Sequence, residues 1–168
     1  GSLFSALKKY NDPGLLNTDN TFVFSCMPVN FNSRASLRES GRITSLVVER
    51  LRTNPAIESV TVGSGLAPYM RDGDNYSGDT VRINDKKIMA AIKTVDKYAL
   101  DVFDIRLEEG EWFTGETKLA DGSLPVVVSR QLVDAVGWVD AVGKKFVYRH
   151  RELTVIGVVA GVKHAVFE

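Results

Sequence analysis

The chain has 168 residues, with 21 basic and 21 acidic side chains and therefore a formal net charge of zero. This balance provides no electrostatic footprint for nucleic acid or for an anionic membrane surface. The single cysteine excludes a disulfide framework and a cysteine-based zinc site, and no apolar run approaches the roughly 18 residues of a membrane span.

The two ends of the sequence lead us to expect a piece of a longer protein. The chain starts with Gly1 and Ser2 rather than methionine, as a cleaved tag leaves it, and it stops directly after an apolar, strand-like run. A short amphipathic pattern precedes the break at residues 11–14, so we interpret residues 1–16 as a tag scar and a connector entering the domain.

A strand, a helix and a second strand are predicted over residues 17–63. Alternating apolar residues predict a strand over 21–29, where Cys26 is expected to be buried in the core. A capping box from Ser36 to Glu39 opens a helix that the Asn54-Pro55 pair ends, and a strand over 57–62 follows. The helix carries one apolar face, which predicts that it packs on a sheet; this face comprises Ile43, Leu46, Val47 and Leu51.

A hairpin is predicted in the middle of the chain. Strands over 80–83 and 87–95 flank the turn Asn84-Asp85, and Asp96 is placed to cap a short helix over 97–102. Upstream of the hairpin, the glycines of Gly63-Ser64-Gly65 predict a bend with close backbone approach rather than a phosphate loop.

A second strand-helix-strand unit closes the chain. The wholly apolar strand 124–128 is expected to be buried on both faces. Ser129 is predicted to cap a helix over 130–136 that Gly137 ends. Strands over 145–148 and 152–159 follow, joined by a turn at His150-Arg151. The prediction is therefore an α+β fold of two β-α-β units, 17–63 and 123–168, separated by a strand-rich insertion over 64–122.

No set of residues with the spacing of a catalytic, metal or cofactor site is found. Ser129 lacks the flanking glycines of a nucleophile elbow, and His150 and His164 match no ligand spacing. Two acidic clusters share their segments with glycines, so we interpret them as solvated turns; they comprise Glu108, Glu109 and Glu111, and Asp72, Asp74 and Asp79. We expect no catalytic residue, no metal and no cofactor.

One segment has the composition of a contact surface. Residues 66–76 place tyrosine and methionine among glycines and charges, and these residue types are enriched in interface cores. The segment is either a packed loop or a surface for another protein or a ligand. In the second case the binding residues would be Tyr69, Met70, Arg71 and Tyr76.

The second half of the chain resembles the MacB-like periplasmic core domain of FtsX/MacB-type ABC transporter permeases. Four family motifs have counterparts, in order, between residues 95 and 162, and residues 21–69 fit more loosely. The counterparts are Val95-Asp96-Lys97-Tyr98 with Ile105, Leu107, Gly110 and Trp112-Phe113-Thr114; Leu124-Pro125-Val126-Val127-Val128-Ser129; Val142-Gly143-Lys144-Lys145-Phe146; and Thr154-Val155-Ile156-Gly157-Val158-Val159. Glu111 replaces the arginine usual in the first motif, which leaves the subfamily open.

The resemblance implies a porter-like subdomain with an inserted lobe, standing between two membrane helices on the periplasmic side of the inner membrane. It implies ATP hydrolysis on a separate domain or subunit, a second permease copy as partner, and in some members a membrane-fusion or other periplasmic protein. Two functions are weighed: coupling of ATP-driven motion to export or partner engagement, and sensing or binding of a small ligand. A hydrolase is disfavoured because no nucleophile-base pair is present.

Overall fold

The computed structural model describes residues 33–63 and 77–160. In chain order it contains a long helix, a hairpin, a helical turn, a short strand and a closing strand-helix-hairpin unit. The bounds are α1 Arg34–Arg52, β1 Ser77–Ile83, β2 Lys86–Ile92, α2 Ala99–Val102, β3 Leu107–Gly110, β4 Leu124–Ser129, α3 Arg130–Val136, β5 Lys145–Tyr148 and β6 Arg151–Val159. Helices and mixed sheets confirm the predicted α+β class. Within these two ranges, no helix has the length and apolar character to cross a membrane.

The N-cap of helix α1 lies three residues before the predicted one. Ser33 is the N-cap, and its hydroxyl accepts a hydrogen bond from the Ser36 amide at 3.1 Å. The prediction that Ser36 is the N-cap is therefore wrong. The chain offers two serines three residues apart, and the earlier one gains a further helical turn. Glu39, freed from capping, forms an ion pair with Arg42.

The apolar face of α1 is only partly covered. Ile43 is 45% exposed and Leu46 is 47% exposed, and no residue of the helix is buried. The strand predicted over 57–62 does not form. Instead, the Thr61 hydroxyl and the Val62 amide donate hydrogen bonds to the Asp96 carboxylate, and this segment is irregular. The strand predicted over 21–29, with Cys26, lies outside the described residues.

The hairpin forms as predicted, although its second strand ends at Ile92 rather than at residue 95. β1 and β2 pair antiparallel, and Asn84 and Asp85 have φ values of 51° and 61°. Two successive residues at positive φ are characteristic of the type I′ turn, whose twist matches that of the flanking strands. The turn is therefore determined by residues that tolerate this backbone conformation.

β6 is the centre of the four-stranded sheet. β4 pairs with it in parallel, whereas β3 and β5 pair with it antiparallel. Ser129 caps α3 by accepting from the Leu132 amide at 3.2 Å, and Gly137 ends the helix at φ 82°, both as predicted. The β5–β6 turn lies at Arg149-His150, one residue earlier than predicted.

The core lies on both sides of α3. Val133 packs with the sheet residues Val128, Val155 and Val158, whereas Val136 packs with Val81 and Ile83 of the hairpin. Within β4 only Val128 is buried, so burial of the whole strand on both faces is corrected to a half-buried strand. β3 comes from the predicted insertion and pairs with β6 of the closing unit. The boundaries 17–63, 64–122 and 123–168 remain a prediction.

Candidate functional site

Asp96 joins three separate segments of the chain. One carboxylate oxygen accepts from the Thr61 hydroxyl at 2.6 Å and from the Tyr98 amide at 3.0 Å. The other oxygen accepts from the Val62 amide at 3.0 Å. Asp96 was predicted to cap a helix over 97–102; the helix is shorter, α2 starts at Ala99, and its N-cap is Tyr98 rather than Asp96. The Asp96 carboxylate instead caps the turn at 97–98 that leads into α2, through the Tyr98 amide.

Arg52 attaches the end of α1 to this junction. Its guanidinium donates to the Val60 carbonyl at 3.2 Å, approaches Asp96 at 3.4 Å and lies 4.0 Å from the ring centroid of Tyr98. In the described part of the chain, the other α1 side chains form hydrogen bonds only within the helix and its N-cap, whereas Arg52 forms hydrogen bonds to residues outside it. Among the described residues, helix α1 is therefore held at one end, and none of its residues is buried.

An open cleft of about 570 Å³ lies between α1 and the junction. Six of its eight lining residues are polar and supply hydroxyl, carboxylate and guanidinium groups, but more of the lining surface is apolar than polar. Val48 and Val62 are the two apolar lining residues. The other lining residues are Thr44, Ser45, Glu49, Arg52, Thr53 and Asp96. The cleft has the size of a small-molecule site, but it is open to solvent, whereas the pockets that usually bind such ligands are concave and bury most of the ligand.

Glu108 and Glu109 of the first acidic cluster lie on β3 and form ion pairs with one arginine, which corrects their interpretation as residues of a solvated turn. Arg130 binds Glu108 at 2.8 Å and also contacts Glu109. The register of β3 on β6 skips Glu108, so a β-bulge lies between Leu107 and Glu109. A bulge re-aims side chains, and here it brings two successive carboxylates to one arginine.

Two further carboxylates make structural contacts: Asp79 ties the hairpin to β5 and its turn, and Asp121 ties the loop before β4 to β5. Hydrogen bonds from the Tyr148 hydroxyl and from Arg149 hold the pKa of Asp79 below its ordinary value. Lys145, with a smaller contribution from Ser123, likewise lowers the pKa of Asp121. These carboxylates remain charged at neutral pH, and their partners show that they stabilise the fold rather than transfer protons.

Two glycines of the family-like motifs lie opposite each other where β3 pairs with β6. Gly110 and Gly157 are paired in register. A Cβ on Gly157 would approach the Glu111 carbonyl oxygen to 2.3 Å, and one on Gly110 would approach the Ile156 carbonyl oxygen to 2.2 Å. Both positions therefore require glycine for close backbone contact. A Cβ on Gly63 would likewise approach the Thr94 carbonyl oxygen to 2.3 Å, so the close backbone approach predicted at this glycine is confirmed.

The proposed binding residues Tyr69, Met70, Arg71 and Tyr76 lie outside the described residues. So do His164, Ser64, Gly65, Asp72 and Asp74 from the other motifs considered. His150 lies exposed in the β5–β6 turn, where it was predicted. Sequence reasoning missed Arg52 and Thr61 as partners of Asp96, since no local pattern relates residues 35 and 44 positions apart.

Within residues 33–63 and 77–160, no three metal-binding side chains come together. The geometry of this part of the chain offers a junction, a polar cleft and structural ion pairs. Such an arrangement can hold or release a neighbouring segment, and it places no nucleophile beside a base.

Comparison with known proteins assigns the family. The MacB-like periplasmic core domain model matches residues 1–167. No curated protein matches the sequence.

Two solved structures share the fold. The periplasmic region of MacB from Actinobacillus actinomycetemcomitans has a TM-score of 0.52 at 20% identity, over 68% of this chain and 49% of that one. The extracellular domain of the noncanonic ABC-type transporter YknZ from Gram-positive bacteria has a TM-score of 0.51 at 16% identity, over 68% of this chain and 55% of that one. The match thus covers about half the length of either structure, and at these identities it shows the fold. With the family match over nearly its whole length, the chain belongs to the MacB-like periplasmic core domains of ABC transporter permeases.

Proposed function

We propose that this domain couples ATP-driven motion of an ABC transporter permease to substrate export or to engagement of a partner protein. It would stand on the extracytoplasmic side of the inner membrane, beside the same domain of a second permease copy. The family is one of permease domains that are not themselves catalytic. ATP hydrolysis would take place on a separate nucleotide-binding domain or subunit.

The Asp96 junction is the observation that carries this proposal. The sheet, α3 and the hairpin share a continuous core, whereas among residues 33–63 and 77–160 the contacts of α1 are made through Arg52 at its end. A helix held in this way can move relative to the sheet while both keep their internal hydrogen bonds. Arg52 and Asp96 are partly exposed, so their contact can be remade without a large desolvation cost.

The energy scale of the junction suits a coupling element. A hydrogen bond to a charged group contributes about 1.5–3 kcal/mol net, and coupling between two sites is typically about 1–3 kcal/mol. A change in one or two of the Asp96 contacts would therefore be enough to shift the equilibrium between two positions of α1. Such a shift requires that the contacts differ between the two states.

Spin labels across the cleft test this proposal in the full-length permease. Glu49→Cys and Val62→Cys carry the labels, because both residues line the cleft and are exposed, and Cys26→Ser removes the native thiol. We expect the mean distance between the labels to change when ATP is bound. A second label pair on the rigid sheet, Val147→Cys with Glu152→Cys, should keep its distance. Identical cleft distances with and without ATP would contradict the coupling.

The second part of the proposal concerns partner binding by Tyr69, Met70, Arg71 and Tyr76. We expect a variant with Arg71→Glu, Tyr69→Ala and Tyr76→Ala to reduce transport or partner capture without lowering the melting temperature, because these substitutions would remove contacts to another molecule only. Transport by the full-length permease and thermal melting of this chain are the two measurements. Unchanged transport and capture would refute this assignment.

One observation supports the alternative function of binding a small ligand, and it is the cleft volume of about 570 Å³. A ligand that binds the folded state stabilises it by mass action. A thermal-shift screen of small polar and zwitterionic compounds therefore distinguishes the alternatives. A compound that raises the melting temperature in the wild type but not in Arg52→Met would favour a sensor. The openness of the cleft favours coupling, because a small-ligand site normally encloses its ligand.

A further inference from the structure

The outer face of the β1–β2 hairpin carries two cations directly opposite each other. Arg82 on β1 pairs in register with Lys87 on β2, and both side chains are exposed. Like charges at directly opposed positions of an antiparallel pair repel each other. In the ranges 33–63 and 77–160, neither cation has an ion-pair partner.

The other face of the hairpin accounts for its attachment to the domain. Val81 and Ile83 are buried against Val136 of α3, and the Lys86 ammonium donates to the Val136 carbonyl at 3.2 Å. This contact places a cation at the negative end of the helix. The inner face and Lys86 therefore account for the attachment of the hairpin, whereas Arg82 and Lys87 oppose each other on the outer face and repel each other.

An exposed methionine lies beside the two cations. Met89 is 73% exposed and follows Lys87 by two residues, so both side chains project from the same face of the strand. Methionine and arginine are enriched at protein interfaces, and Met89 is one of the most exposed large apolar side chains among the described residues. Thr80, opposite Met89, completes the face.

We propose that this outer face, formed by Thr80, Arg82, Lys87 and Met89, is a docking surface for an acidic segment of another protein. The partner's carboxylates would lie between Arg82 and Lys87 and relieve their repulsion, and an apolar side chain would pack on Met89. The zero net charge of the chain gives little attraction to an anionic membrane surface as a whole, so the local pair and its apolar neighbour favour a protein partner.

This surface is distinct from the Asp96 junction and goes beyond the proposed coupling. It would bind in the isolated chain, without ATP or a membrane. Its failure would leave the coupling intact, and failure of the coupling would leave this surface intact.

The test measures fluorescence anisotropy of a labelled peptide that alternates glutamate with leucine, titrated with this chain. We expect the peptide to bind, to bind more weakly as ionic strength rises, and to lose binding when its glutamates are replaced by glutamine. Arg82→Glu should weaken binding by about tenfold. The same substitution places opposite charges across the hairpin, so its melting temperature should be equal or higher, which separates lost binding from misfolding.

The matched control for Arg82→Glu is a charge reversal at an exposed residue outside the hairpin. Lys118→Glu makes the same kind of charge reversal at an exposed position outside the hairpin and should leave peptide binding unchanged. The proposal is overturned by equal affinity of Arg82→Glu and wild type, by equal binding of the glutamate and glutamine peptides, or by no binding at all. Binding to phosphatidylglycerol vesicles that Arg82→Glu abolishes, without peptide binding, would identify a lipid surface instead and would also overturn it.

Discussion

Replacing Gly157 with alanine is expected to lower the free energy of unfolding by about 3 kcal/mol. The added Cβ would approach the Glu111 carbonyl oxygen to 2.3 Å and the Leu107 Cδ1 to 3.1 Å. The first of these contacts is with backbone, which cannot rotate away, so β3 must move off β6. For a domain of this size the melting temperature should fall by about 6–12 °C in a thermal melt.

Gly41→Ala is the matched control for this substitution. Gly41 lies in the interior of α1, and a Cβ there would meet no atom within 4 Å. The same change should therefore raise stability by up to about 1 kcal/mol, because alanine is the better helix former. A Gly157→Ala protein that melts with the wild type would show that β3 and β6 do not approach each other this closely.

Asp96→Ala is expected to cost about 2–3 kcal/mol, the second large effect. The substitution removes the acceptor for the Thr61 hydroxyl and for the Val62 and Tyr98 amides. Hydrogen bonds to a charged group contribute more than neutral ones, and the donors that are left lose their partner in a partly buried site. Denaturant unfolding of the isolated chain measures the loss.

Two further variants distinguish the junction from a general effect of removing a charge. Thr61→Val should cost about 1 kcal/mol, and its combination with Asp96→Ala should cost less than the sum, because both remove the same hydrogen bond. Asp140→Ala removes an exposed carboxylate in a loop and should change stability by no more than about 0.5 kcal/mol. Additive losses for Thr61 and Asp96 would contradict their direct contact.

The junction also explains how a domain without catalytic groups could act. Arg52 and Asp96 join the end of α1 to the segment between β2 and α2, so a displacement of one of these elements would change the position of the other. The hairpin is fixed to the core through Val136 and Lys86. A partner bound to the hairpin would therefore contact the rigid part of the domain, and a movement of α1 would take place relative to it.

Local chemistry made several elements predictable. The hydroxyl of Ser129 and the left-handed conformation of Gly137 act within three or four residues of the helix they limit. Asn84 and Asp85 likewise specify their own turn. Where two equivalent local signals compete, as Ser33 and Ser36 do, the pattern predicts a helix but misplaces its first turn.

Long-range contacts account for what was missed. Strand β3 is four residues long, and its extended state and its bulge depend on pairing with β6, which lies about 50 positions further along the chain. Residues 57–62 have the composition of a strand, yet Asp96 binds the polar groups at their end. The sequence alone was enough to identify the α+β class, the family and the glycines of its motifs. Folding in three dimensions was needed to show that two of those glycines meet, that Arg130 takes both carboxylates, and that Asp96 is a junction, because each of these depends on residues that are distant in the chain.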